Sequence, residues 1–159
     1  MSETRPSSGG INQRARITMT PEEIDAFLQG RRTMTTATYN HDGTIHVVAM
    51  WYGFLDGSIA LETKAKSQKV QNLRRNPNIT CMVESGIEYG ELMGVELVGR
   101  GQIIDDPDQM FALGVSVFER YQGGYSEEMR PLVQAMLNKR VVVKIQVDNV
   151  VSWDHHKLT

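Results

Sequence analysis

TMTTATYNHDGTIHVVAMWYGFLDGSIALETK, Thr33 to Lys64, is the stretch that decides the fold. Two Asp-Gly pairs, Asp42-Gly43 and Asp56-Gly57, punctuate three runs rich in β-branched and aromatic residues. Glycine supplies a left-handed backbone at no steric cost, and aspartate tolerates one, so each pair reads as a tight turn between antiparallel neighbours. The expected strands are Met34–Tyr39, Ile45–Phe54 and Ser58–Thr63.

Upstream, Thr20–Gly30 (TPEEIDAFLQG) reads as a short helix. Thr20 is its N-cap, Pro21 its first residue, Glu23 the closing member of a capping box and Gly30 its stop. Ile24, Phe27 and Leu28 form its apolar face. Downstream, SQKVQNLRR (Ser67–Arg75) suits a turn or two of helix capped by Ser67, with Val70 and Leu73 turned inward and Asn76-Pro77-Asn78 ending it. Two further strands are expected at Ile79–Ser85 and Leu92–Ile104, with Gly94, Gly99 and Gly101 marking bends or bulges. The period then changes. Met110, Leu113, Val117, Phe118 and Tyr121 share one helical stripe, and a second helix is expected over about Glu127–Asn138 with Met129, Leu132, Val133 and Met136 inward. Pro131 falls in its first turn, where proline is tolerated. Arg140–Asp154 closes the chain as a strand. Six mostly sequential antiparallel strands with short helices favour a mainly β, α+β architecture, a small closed or partly closed barrel that leaves few exposed edges.

Bulk composition sets the remaining bounds. A chain of 159 residues with 40% hydrophobic and 23% charged residues is an ordinary globular domain. The expected division is a disordered arm over 1–16, rich in Ser, Gly and Arg, and one domain over 17–159. The formal net charge of −2 provides no general basic field for nucleic acid. The single cysteine, Cys81, fits a reducing compartment, and neither a secretory leader nor an apolar run of about 20 residues is present. The expectation is a cytoplasmic protein with no membrane and no nucleic-acid partner.

From Thr63 through Val83 there are five basic side chains and no carboxylate. Thr63 and Lys64 end a strand; Ser67, Gln68 and Lys69 open a helix. Backbone N–H groups at a helix start, a hydroxyl and a lysine together make an anion site, against the alternative of a solvated basic helix face. Val47–Phe54 (VVAMWYGF) is by default core strand, along which a planar ligand can also lie and be read by backbone groups. Metal binding is not expected: His155 and His156 are adjacent on a strand and point to opposite faces, and His41 sits in a turn. Cys81, mid-strand, reads as a small buried apolar residue rather than a nucleophile. Motifs for serine hydrolysis, ATP phosphate cradling and dinucleotide binding are absent from the sequence.

The order of these pieces, with Ser-x-Lys-x-x-Asn-Leu-x-x-Asn-Pro (Ser67–Pro77) as its most specific part, resembles the flavin and deazaflavin oxidoreductases of the split β-barrel, pyridoxamine-phosphate-oxidase-like superfamily, in particular the branch that uses coenzyme F420. The likeness covers Met19 to Leu158. It implies a six-stranded antiparallel split barrel with flanking helices and a homodimer with cofactor sites at the subunit interface. It further implies a phosphate resting on Thr63, Lys64, Ser67, Gln68 and Lys69, with Lys69 the central cation and Val70 a further cofactor-binding residue. The ring would lie along Val48, Ala49, Met50 and Trp51, and a partner chain would add residues from Trp153–Lys157, Trp153 and Lys157 among them. Pyridoxamine-phosphate oxidases carry an arginine where this chain has Gln68 and end in an arginine-bearing motif where it has WDHHKLT, so F420 is the expected cofactor and FMN the alternative. An acidic tail beyond the phosphate would fall to Lys64, Lys66, Arg74 or Arg75. The implied activity is hydride transfer to a small unsaturated or oxidised acceptor; a carrier of flavin, deazaflavin or haem without turnover is the alternative outside enzymes.

Overall fold

A computed structural model describes residues 12–159. The helices are α1 (Gln13–Ile17), α2 (Pro21–Gln29), α3 (Gln68–Arg75), α4 (Pro107–Gln122) and α5 (Arg130–Met136). The strands are β1 (Met34–Tyr39), β2 (Ile45–Met50), β3 (Gly53–Leu55), β4 (Ser58–Lys64), β5 (Asn78–Ser85), β6 (Met93–Ile104) and β7 (Arg140–Asp154). Most of the expected N-terminal arm, 1–16, lies outside the described residues. Its described end is not disordered as expected: Asn12 caps α1 by accepting from the Ala15 N–H.

Local signals act as their chemistry dictates. In α2, Thr20 Oγ1 accepts from the Glu23 N–H at 3.2 Å while Glu23 Oε2 accepts from the Thr20 N–H at 2.7 Å, the reciprocal capping box. Asp56 and Gly57 both take positive φ, 50° and 77°, and close a two-residue hairpin between Leu55 and Ser58. The Asn40–Thr44 loop uses Gly43 at φ 85°. Of the three glycines expected to bend the sheet, Gly99 marks the one register shift, between Val98 and Gly99. Gly94 serves differently: a Cβ there would meet the Trp153 ring at 2.1 Å.

All strand pairings are antiparallel, in one sheet ordered β2-β1-β5-β6-β7-β4-β3. Among the described residues there are seven strands rather than six, because the expected Ile45–Phe54 strand divides at Trp51-Tyr52. The cause is a contact from α4. The Tyr52 N–H donates to the Tyr121 hydroxyl at 3.3 Å instead of to a strand, and the Trp51 ring stacks on that of Tyr121 at 4.5 Å and 3°. The two halves then serve opposite ends of the sheet: β2 pairs with β1 and β3 with β4. One continuous stretch of chain therefore joins both edges and curls the sheet into a barrel, leaving a seam beside the free edge of β2.

The interior holds Met34, Tyr52, Leu61, Cys81, Val83, Val95 and Ile145, with Phe27 and Leu28 of α2 and Leu73 of α3 packed against them. Outside β3 and β4, Leu113 and Val117 of α4 cover Leu55, Ala60 and Val142. Arg120 of α4 donates to the carbonyls of Leu28, Gln29, Gly30 and Tyr52, fastening α2 to the point where the strand divides. The expected Glu127–Asn138 helix is a 3-10 turn, Glu127–Met129, followed by α5, and Leu132 points outward rather than inward.

Candidate functional site

The basic corner is built where β4 ends and α3 begins. Thr63 alternates inward with Ile59 and Leu61, and Lys69, the second residue of α3, reaches back to it: Lys69 Nζ donates to Thr63 Oγ1 at 2.9 Å. Only 7% of Lys69 is exposed, yet Thr63 is the sole hydrogen-bond acceptor it finds among the described residues. An ammonium carries three donors, and burying one so sparsely paired is costly. Burial, with the charge of Arg140 added, pushes the Lys69 pKa below its ordinary value. Ser67 holds the N-cap position of α3, but its side chain makes no capping bond; the hydroxyl instead accepts from the Thr63 hydroxyl at 3.4 Å. The first N–H groups of α3 thus carry no side-chain cap. A buried cation, two hydroxyls and an uncapped helix start together meet the donor requirement of a phosphate.

The rest of α3 is fixed by structural bonds. Asn72, fully buried, donates to Thr38 Oγ1 at 3.0 Å and Asn40 Oδ1 at 2.9 Å, and accepts from Gln68 and Arg75. Arg75 also donates to the Tyr39 carbonyl at 3.0 Å. Gln68, one of the expected phosphate residues, therefore has its amide turned toward Asn72, and it borders a hollow with Asn40, His41, Asp42 and His46. Val70 is fully buried, so it offers an incoming ligand no exposed side chain.

The expected ring strand and this corner meet at the seam. β3 pairs with β4 as Gly53 with Ala60 and Leu55 with Ser58. The same register carried back past the division sets Met50 opposite Thr63 and Ala49 opposite Lys64. Beyond β3 the chain leaves β4 and β2 pairs with β1 instead, so these positions of β2 and β4 are not paired with each other. Val48 and Met50 are half-buried, Ala49 and Trp51 exposed, and Trp51 is held by its stack on Tyr121. Tyr121 was expected only as a core residue of its helix.

Two residues of this corner escaped the sequence reading. Arg140 lies directly across from Lys64 in the β4–β7 pairing, and the carbonyl of Lys139 accepts from the Ala65 N–H at 2.9 Å. The available signal was a Lys-Arg pair opening the last strand, uninformative until that strand is known to lie beside β4. Glu62 is buried beside them; burial raises its pKa and outweighs the lowering by Arg140, and Oε2 has no partner among the described residues.

Trp153 and Lys157 stand elsewhere. Trp153, near the end of β7, packs on Gly94, and Lys157 Nζ, past that end, donates to the Thr18 carbonyl and to Glu23 Oε2, so within one chain both sit at the opposite end of β7 from Arg140. His155 bonds the Tyr89 carbonyl and His156 bonds Asp154. Among the described residues no three His, Cys, Asp or Glu side chains gather as a metal site, and no helix is long and apolar enough to cross a membrane. Cys81 is fully buried, its thiol pushed up to about 12 by burial.

A conserved hypothetical protein from Mycobacterium tuberculosis is 48% identical, with a TM-score of 0.89 over 91% of each chain. A solved F420 reductase is 26% identical, TM-score 0.63, over 82% of this chain and 98% of its own. A haem storage protein from Vibrio cholerae shares the fold at 15% identity, TM-score 0.65, over 84% of this chain and 96% of its own. No curated protein matches the chain. The family model described as pyridoxamine 5'-phosphate oxidase matches residues 20–154, nearly the whole of the barrel just described, and the chain belongs to that family.

Proposed function

We propose that this chain is an oxidoreductase that holds a phosphate-bearing redox ring across the seam between β2 and the β4–α3 corner, coenzyme F420 in the first place, and passes a hydride to a small unsaturated or oxidised acceptor. The observation that carries the reading is Lys69. A buried ammonium with one acceptor, beside an uncapped helix start, is stabilised by a bound phosphate and by little else in reach. The similarity to an F420 reductase supports the choice of cofactor.

The bound cofactor would supply the reactive carbon and the hydride. The chain's own residues supply placement. Lys69, Ser67, Thr63 and the α3 N–H groups hold the phosphate end. Val48, Ala49 and Met50 on β2, the terminal strand of the sheet, would lie along the ring, and Trp51, propped by Tyr121, would stand at its far end. Trp153 and Lys157 would reach such a site only from a second copy of the chain, which supports a homodimer with two interfacial sites. FMN is the second reading, since its phosphate suits the same corner.

Purified protein is titrated with F420 and with FMN, following ring absorbance and fluorescence; protein loaded with the chemically reduced cofactor is then offered quinones, enones and tetrapyrroles, and reoxidation of the ring is followed. Binding of F420 with hydride transfer to one acceptor class is the expected result. If neither cofactor binds below about millimolar, the weak end of specific affinity, the reading is overturned.

A further inference from the structure

We propose that Glu62 is a positioning residue of the anion corner that acts through Arg140. It takes up a proton when a phosphate-bearing ligand binds and returns it when the ligand leaves, so the corner grips anions more tightly as pH falls. This rests on the reading of the corner as a phosphate site.

The geometry is set by strand pairing. Glu62 lies opposite Val142 and Lys64 opposite Arg140, so Glu62 and Arg140 are diagonal neighbours on one face of the β4–β7 pair. Thr63, between Glu62 and Lys64, points to the other face, where it meets Lys69. Arg140 acts on both sides: its charge favours the ionised form of Glu62 and disfavours that of Lys69. Yet Glu62 is no one's ion-pair partner. It is 8% exposed, Oε2 has no hydrogen-bond partner, and the carboxyl forms no ion pair among the described residues.

The other charges near this face are solvated or already engaged. Lys64, Lys66 and Lys139 are exposed, and Lys144 is drawn to Asp56 at 3.9 Å. Past the end of β6, Asp105 and Asp106 are exposed, and Asp106 caps α4. Helix α4 covers the face with Met110, Leu113 and Val117; its Asp108 and Glu119 are exposed, and Arg120 is bonded to carbonyls of α2 and Tyr52. The Tyr121 hydroxyl is bonded to Tyr52 and Arg32, and that of Tyr125 makes no bond to Glu62. In α5 the charged residue is Arg130, paired with Glu127 at 2.8 Å. Arg140 is thus the charge through which Glu62 can act.

With no anion bound, Lys69 and Arg140 repel each other, and an ionised Glu62 partly offsets them. An arriving phosphate takes over that duty and repels the carboxylate. Protonating Glu62 then breaks no bond at Oε2, and burial already favours the neutral acid. The proton comes from solvent and joins a carboxylate oxygen; no other bond changes. The coupling is reciprocal, so whatever the anion adds to the proton affinity of Glu62, protonation adds to the affinity for the anion. Affinity is full below the ligand-free pKa, which stands above the ordinary 4.5, and declines as pH climbs from there to the higher bound value.

The full chain is titrated with whichever of F420 and FMN it binds more tightly, by ring fluorescence, from about pH 5 to about pH 9. Wild type is compared with Glu62→Gln, which keeps the shape of the neutral acid. The two are expected to agree at the acid end, and the variant to bind about tenfold more tightly at the alkaline end, the equivalent of a bound-state pKa about one unit higher. Titration of the ligand's phosphate and of Lys69 cancels in the ratio. A variant whose profile runs parallel to that of wild type, weaker, equal or tighter at every pH, overturns the proposal. If Glu62→Gln fails to fold, calorimetry on wild type at about pH 7, in two buffers of unlike ionisation heat, counts the protons exchanged on binding. Net uptake supports the proposal and its absence overturns it. A wild type that binds neither cofactor at any pH sinks the phosphate reading itself, and this proposal with it; that outcome is distinguished because it appears before any substitution.

Discussion

Lys69 is where the cost of the site is concentrated. Its charged form is disfavoured by burial and by Arg140, so its pKa in the fold lies below that of the unfolded chain. Between the depressed value and the ordinary 10.5 the unfolded chain binds more protons, and stability rises with pH through that window. Lys69→Met is expected to flatten that rise in thermal melts and to weaken either phosphate-bearing cofactor by about 10- to 100-fold, the worth of a charge-assisted bond. A variant that binds as tightly as wild type would remove Lys69 from the site. Glu62 runs the other way. Its folded pKa is raised above the ordinary 4.5, so its contribution to stability is full below that value and declines as pH climbs through the raised one. Glu62→Gln keeps the shape and abolishes that decline, so its melting temperature at neutral pH is expected to exceed that of wild type; an unchanged pH profile would show the carboxylate to be solvated. The corner's presence was legible in the sequence because unopposed lysines follow a strand. The turning of the Ser67 hydroxyl away from capping, the buried state of Lys69 and the approach of Lys139 and Arg140 were not, since each depends on what packs around the residue rather than on its neighbours in the chain.

At the scale of elements, turn chemistry was the most readable signal. Asp56-Gly57 and the Thr20–Glu23 box fix local geometry by themselves, and Arg140–Asp154 is a strand over the length its alternation implied. The division of the Ile45–Phe54 run was hidden, because an alternating apolar pattern looks alike whether a strand keeps one partner or changes partners midway. What decides it is Tyr121, whose hydroxyl accepts from the Tyr52 N–H and donates to the Arg32 carbonyl at 2.7 Å. Tyr121→Phe removes both bonds and leaves the Tyr52 N–H without an acceptor, at an expected cost of about 1–3 kcal/mol in urea denaturation. Because Trp51 keeps its stacking partner in this variant, cofactor affinity should change far less than in Tyr121→Ala; equal losses in the two would refute the propping role. At the bulge, a Cβ on Gly99 would stand 2.0 Å from the Gln146 carbonyl oxygen. Gly99→Ala is therefore expected to cost about 1–3 kcal/mol or more, the scale of overpacking, with backbone rather than a side chain forced to move.

At the scale of the whole molecule, one apolar face stays uncovered among the described residues. β2 is the terminal strand of the sheet, and its outward residues Ile45 and Val47 are 60% and 58% exposed, followed by Trp51 at 48%. Val147 and Val150 of β7 add to the exposed apolar surface. A long apolar edge strand left open to water invites pairing with other chains, which natural proteins avoid unless the edge is covered. A second copy is the economical cover, because the two ends of β7 divide the expected site: Arg140 stands at the phosphate corner, and Trp153 and Lys157 stand at the other end. An interface of ordinary size, about 800 Å² per partner, would cover this stripe. Val47→Asp puts a charge on that face without disturbing the interior, since the side chain is already largely exposed. Wild type is expected to run in light scattering at twice the 17.9 kDa chain mass, and the variant at one chain with its circular dichroism unchanged. The monomeric variant should bind cofactor more weakly than the dimer although every residue of the phosphate corner is intact. A wild-type chain that is monomeric at working concentration and still binds cofactor tightly would show that one copy completes the site alone.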